Sequence, residues 1–148
     1  HPVTEEITGL DLIQAKARLR KTGIKKKEVE FTGHAIECRI NAEDPDNNFR
    51  PSPGLVTAFH TPGGHGIRVD THCYAGYSIP PFYDSMIGKL IAVGKDRDEA
   101  IKKMSRALDE FIIEGVKTTI PFHQQIMKDS KFKSNNYDTS FIEKMKTK

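Results

Sequence analysis

In the run Glu37-Cys38-Arg39-Ile40-Asn41, charged or amide side chains alternate with apolar ones. A strand has a side-chain period of two. That period sends Glu37, Arg39 and Asn41 to one face and Ile36, Cys38, Ile40 and Ala42 to the other. An arginine held on a polar strand face offers a rigid planar fork. Such a fork suits a carboxylate, a phosphate, bicarbonate or a polarised carbonyl oxygen. The same residues also fit a surface strand with a purely structural Arg–Glu pair, and residue types alone leave both readings open.

Other chemistry-bearing groups are weaker. Pro62-Gly63-Gly64-His65-Gly66 could form an anion-binding nest. It lacks the Gly-Lys-Ser/Thr ending of a phosphate loop, so a hairpin turn describes it better. His34 and Cys38 have no second pair at metal-ligand spacing, and Cys38 falls on the apolar face, as an inert core thiol would. Ser85, Asp84 and His72 could be assembled into a triad, but no nucleophile elbow surrounds the serine. The segment Pro80-Pro81-Phe82-Tyr83-Asp84-Ser85-Met86 is rich in aromatic and proline residues and reads as a packed loop or an interface element. Residue types alone thus reach one suggestive arginine and no complete catalytic set.

The elements that must position these groups follow from periodicity. Residues 8–23 read as a helix, with Leu12, Ala15 and Leu19 on one stripe widened by Ile13 and Ala17, and Gly23 at its C-terminal end. HPVTEEIT before it reads as a short helical turn. Strands are expected over 35–43, over LVTAFH, over IRVDTH and over the more continuously apolar MIGKLIAVG. SIPPFYDS, with two prolines, is expected to be extended and outside any ladder. Asp96 with Glu99 predicts a capping box. The helix it opens carries Ile101, Met104, Leu108, Phe111 and Ile112 and is expected to end at Gly115. Ile120-Pro121 opens another helix, and FIEKM a last one. The order argues α+β with a mostly antiparallel sheet and flanking helices.

The totals agree. The 148 residues, 36% hydrophobic and 29% charged, suit one globular domain with a stub of a neighbour. No apolar run approaches the roughly 18 residues of a membrane span. Two cysteines do not make a disulfide framework, so a reducing compartment, the cytoplasm, is expected. The net charge of +3 comes largely from KARLRKTGIKKK, which has no interleaved aromatics for stacking on nucleic acid.

HPVTEEITGLDL, GHAIECRINAEDP, RPSPG, YAGYSIPPFYDSMIGKLI and RALDEFIIEGVKTTIPFH, in that order, resemble the C-terminal part of biotin carboxylase. The ending, with KTTIPFHQQIM and YDTSFIEK, is most similar to the biotin carboxylase component of bacterial acetyl-CoA carboxylase, which serves fatty acid synthesis. Pyruvate and other acyl-CoA carboxylases share the module. The resemblance implies an ATP-dependent ligase that carboxylates carrier-bound biotin with ATP, bicarbonate and Mg²⁺ or Mn²⁺. It matches Arg39 to the residue that contacts the biotin ureido oxygen and bicarbonate. It matches His65, Arg68 and Asp84 to a homodimer interface, with His65 standing where bacterial relatives commonly have Phe, and the region of Thr139 to an adenine contact. No residue of the chain is matched to a metal ligand. Residues 1–25 would be the tail of an ATP-grasp domain and 30–143 the discrete C-terminal domain. The rest of the ATP-grasp portion would be missing, and a chain without it would be inactive. Expected partners are that portion, the biotin carboxyl carrier protein and carboxyltransferase subunits. A non-catalytic dimerisation or docking module is the competing class.

Overall fold

The structure, a computed structural model, describes residues 1–22 and 29–146, with backbone alone for 18–22 and 146. The helix expected from residue 8 begins only at Leu12, and the short helical turn expected before it is a helix of its own. Helix α1 spans Pro2–Thr8 and ends on Gly9, whose φ of 66° lets its N–H turn back to the Glu5 carbonyl. Asp11 then caps a second helix, α2 (Leu12–Thr22), its carboxylate accepting from Gln14 N–H at 2.8 Å. A left-handed glycine followed two residues later by a capping aspartate delays the start of α2 to Leu12, the first residue of the expected stripe. Ile13 is 67% exposed and so lies outside any buried stripe. The Gly23 terminus lies outside the described residues.

Strand β1 (His34–Asn41) follows, then the short strands β2 (Glu43–Asp44), β3 (Arg50–Pro51), β4 (Gly54–Leu55) and β5 (Ala58–His60). Next come β6 (Ile67–Thr71), β7 (Ser78–Ile79), β8 (Met86–Gly94), helix α3 (Arg97–Glu110) and β9 (Ile112–Glu114). Helices α4 (Ile120–Lys128), α5 (Ser130–Lys133) and α6 (Phe141–Lys146) close the chain. The main sheet is antiparallel in the order β1-β8-β6, and β2-β3, β4-β7 and β5-β9 form separate antiparallel pairs. The α+β reading with an antiparallel sheet and flanking helices holds.

Three local expectations are corrected. LVTAFH is two strands in different ladders, because Val56 N–H turns to Tyr77 O and Thr57 N–H to Glu114 O. The capping-box helix stops at Phe111, and Ile112–Glu114 pairs as a strand with Ala58–His60. Gly115 ends that strand rather than the helix; its φ is 97°, and a Cβ there would strike the Leu55 carbonyl. Ser78 and Ile79 lie in a ladder, so the unpaired segment begins at Pro80.

The sheet has two unlike faces. Ile36, Cys38 and Ile40 of β1 join Leu90 and Ala92 of β8 in the core, against Ala100, Ile101, Met104, Ala107 and Leu108 of α3. Each large aliphatic buried there is worth about 1.5–3 kcal/mol. The opposite face carries two cross-strand rows, Glu37–Ile91–Arg68 and Arg39–Lys89–Asp70. Ile91 is fully buried, yet it is not part of the main core. Helix α1, packed on β1 and β8, covers it. Arg68 of the same row reaches Glu5 and Glu6 of that helix, each at 3.0 Å.

Candidate functional site

Alternation in β1 buries Ile36, Cys38 and Ile40 and leaves Arg39 exposed, as the period of two requires. The Cys38 thiol is pushed up to about 12, first by burial and then by the Glu37 charge beside it, which makes it a poor nucleophile. Cys73 is also buried and free.

Arg39 therefore stands on the outer face of β1 with its side chain in solvent. Its acidic neighbour is Asp84, with Nη2 and Oδ2 3.6 Å apart and the side chains 57% and 64% exposed. Asp84 is anchored by its other oxygen, which accepts from Met86 N–H at 3.0 Å where β8 begins. Directly across the ladder from Arg39 lies Lys89. Like charges opposite one another on a strand pair repel, and an anion bound between them relieves the repulsion. Asp70, next in the row, is drawn off by Arg68, whose Nε and Nη2 bind its two oxygens at 2.8 and 2.7 Å. Arg39 and Lys89 thus stand opposite one another on this face, with Asp84 paired to Arg39.

Beside it, Asn41 donates to Glu43 and to Ser85 at 3.0 and 3.3 Å, while the Ser85 hydroxyl donates to Glu43. Ser85 thus serves a carboxylate, not an imidazole. The ladder shifts register between Ile40 and Asn41, directly after Arg39. Such bulges recur next to functional sites, where they re-aim a side chain.

The other sequence-derived residues have surroundings of their own. His65 is exposed in the loop before β6. Arg68 commits four of its five N–H groups to Glu5, Glu6 and Asp70 within the chain. Thr139 lines a cleft of about 660 Å³ together with Glu37, Arg97, His123 and Tyr137. In that cleft Arg97 stacks on Phe132, 4.7 Å from the ring centroid, and donates to the Phe132 carbonyl at 2.6 Å. Sequence reasoning missed Thr119 and His123. Both bond the Arg39 carbonyl, Thr119 Oγ1 at 3.0 Å and His123 Nε2 at 2.8 Å. Nothing in TTIPFH beyond a helix start announces them. Among the described residues no three His, Cys, Asp or Glu side chains gather as metal ligands, and no helix is long and apolar enough to cross a membrane.

Residues 37–144, with Arg39 near their start, match the family described as the biotin carboxylase C-terminal domain. The chain belongs to that family. It is 54% identical over 146 residues to biotin carboxylase 1 of Bacillus subtilis, covering 97% of this chain and 32% of that protein. It is 52% identical over 146 residues to a pyruvate carboxylase subunit of Methanothermobacter thermautotrophicus, covering 97% of this chain and 30% of that one. Among solved structures it resembles the biotin carboxylase domain of Hydrogenobacter thermophilus 2-oxoglutarate carboxylase, a dimer in complex with MgADP, ADP and bicarbonate. There the TM-score is 0.93 and the identity 43%, over 97% of this chain and 32% of that one. The chain spans about a third of the length of these biotin carboxylase relatives.

Proposed function

We propose that this chain supplies the biotin-facing cation of a biotin carboxylase, an ATP-dependent ligase, with Arg39 as its catalytic residue. In the reaction, ATP phosphorylates bicarbonate to carboxyphosphate, which releases CO₂ and phosphate. Biotin on its carrier protein loses its ureido N–H proton to a base, and that nitrogen attacks CO₂. Negative charge collects on the ureido oxygen before the new bond forms. A guanidinium already fixed in place lowers that barrier without reorganising, as an oxyanion hole does.

The observation that carries this reading is the placement of Arg39. It projects from a strand whose other face is core, it is exposed, and its nearby acid is an exposed, weakly paired Asp84. ATP and Mg²⁺ or Mn²⁺ enter the proposal through an ATP-grasp portion outside this chain, and the role of Arg39 does not run through the metal. Dimerisation through His65, Arg68 and Asp84, an adenine contact near Thr139, and a domain boundary between residues 25 and 30 belong to the same proposal. We assign the acyl acceptor to acetyl-CoA, with carboxyltransferase subunits as partners and the cytoplasm as location. The 52% identity to a protein of pyruvate carboxylase supports pyruvate as the second reading.

The test is steady-state kinetics of the full-length enzyme. Arg39→Ala is expected to lower biotin carboxylation about 10²–10³-fold, the usual loss for one oxyanion-stabilising donor. The KM for ATP and the melting temperature should hold. Arg39→Lys should rescue poorly, because a point charge lacks the planar fork. Early melting with parallel loss of ATP binding would make Arg39 structural. Transfer of carboxyl to acetyl-CoA or to pyruvate by the reconstituted enzyme separates the two acceptors.

A further inference from the structure

Strand β1 is an edge of its sheet, so the carbonyl of Arg39 and the backbone of Asn41 have no neighbouring strand on their outer side. The start of α4 takes that place. Thr119 N–H donates to Asn41 O at 3.1 Å, and Thr119 Oγ1 accepts from Asn41 N–H at 3.0 Å while donating to Arg39 O at 3.0 Å. His123, one helical turn on, donates from Nε2 to the same Arg39 oxygen at 2.8 Å. A carbonyl can only accept, so Nε2 carries the proton. Burial holds the His123 pKa down, opposed by this bond, and the ring is therefore a neutral donor near pH 7.

Two further facts separate this arrangement from ordinary packing. Thr119 is the N-cap residue of α4, yet its side chain caps nothing in its own helix. A threonine there normally satisfies a free N–H of the first turn. Here the hydroxyl is spent on β1 instead. The clamp also closes where the β1–β8 register slips, between Ile40 and Asn41, and there the ladder itself constrains the strand least.

We propose that Thr119 and His123 are positioning residues for Arg39, holding its backbone from the open edge so that the guanidinium meets the developing oxyanion at a fixed point. This rests on the catalytic reading of Arg39. Small misplacements of a reacting group cost rate steeply, on the order of 10²-fold per ångström.

A double-mutant cycle in the full-length enzyme tests it. Thr119→Val keeps the shape and removes the hydroxyl. It should lower kcat for biotin carboxylation roughly tenfold, leave the KM for ATP unchanged, and be rescued by Thr119→Ser. In an Arg39→Ala background it should cost nothing more, because the residue it positions is gone. An equal loss in both backgrounds, a rise in the KM for ATP, or full activity of Thr119→Val would overturn the proposal while leaving Arg39 catalytic. Full activity of Arg39→Ala would instead overturn the reading beneath it. If Thr119→Val does not fold, the same cycle is run with His123→Phe and read by the same outcomes.

Discussion

Arg39 and Asp84 face each other across solvent, 3.6 Å apart and both more than half exposed. A pair like this contributes between nothing and about 1 kcal/mol to folding. It is therefore a weak competitor for any anion that approaches the guanidinium. Asp84→Asn should leave the melting temperature within about 1 °C of the parent and lower the KM for bicarbonate or biotin by up to about fivefold. Initial-rate kinetics and a thermal melt check both halves. A large drop in stability would show that the pair anchors the 80–85 segment instead.

Asp84 also carries the association prediction. A two-fold contact sets the same patch against itself, so charges pair across it. Asp84→Arg in the full-length protein is expected to shift sedimentation from dimer toward monomer. An unchanged dimer would remove Asp84 from the interface.

Arg68 should matter for stability more than for turnover. It ties α1 to the sheet through two carboxylates of that helix, Glu5 and Glu6, and Glu5 is only 17% exposed. Its carboxylate contacts hold the Arg68 pKa above its already high value, first through Asp70 and then Glu6, so the guanidinium stays charged at every working pH. Arg68→Met should cost about 1–2 kcal/mol. Hydrogen exchange would speed up across residues 2–8 but not across 86–94. Uniform protection in the variant would show that α1 is held by other means.

Cys38 predicts a pH dependence. Burial raises its thiol from the ordinary 9.0 to about 12 in the folded state. Folding therefore favours the protonated thiol. The contribution is complete below about 9 and is lost as pH rises toward 12, with a slope of about 1.4 kcal/mol per pH unit. The stability gap between the parent and Cys38→Ala should narrow from pH 8 to pH 10.5. A gap independent of pH would mean that the thiolate is tolerated in the core.

Some of this was readable from residue order. The exposure of Arg39 followed from the alternation around it. The capping box at Asp96 is present, with Glu99 N–H donating to Asp96 at 2.9 Å. Other features were hidden for definite reasons. The helix expected from residue 8 starts only at Leu12, because Gly9 shows itself as a stop only through its left-handed φ. Ile112 continues a helical stripe, but its pairing with His60 outweighs that preference. Thr119 and His123 lie 80 and 84 residues from the carbonyl they hold, and no local pattern encodes such a contact.

Ile91 decides how this protein can be cut for expression. The family match starts at residue 37, which invites a clone beginning near residue 30. Such a clone would strip the roof from a large aliphatic that the main core does not shelter, and would leave Arg68 with Asp70 alone of its three acids. The bared patch would sit in the middle of a sheet, where sticky surface promotes precipitation. The practical boundary for a well-behaved recombinant piece lies upstream of Pro2.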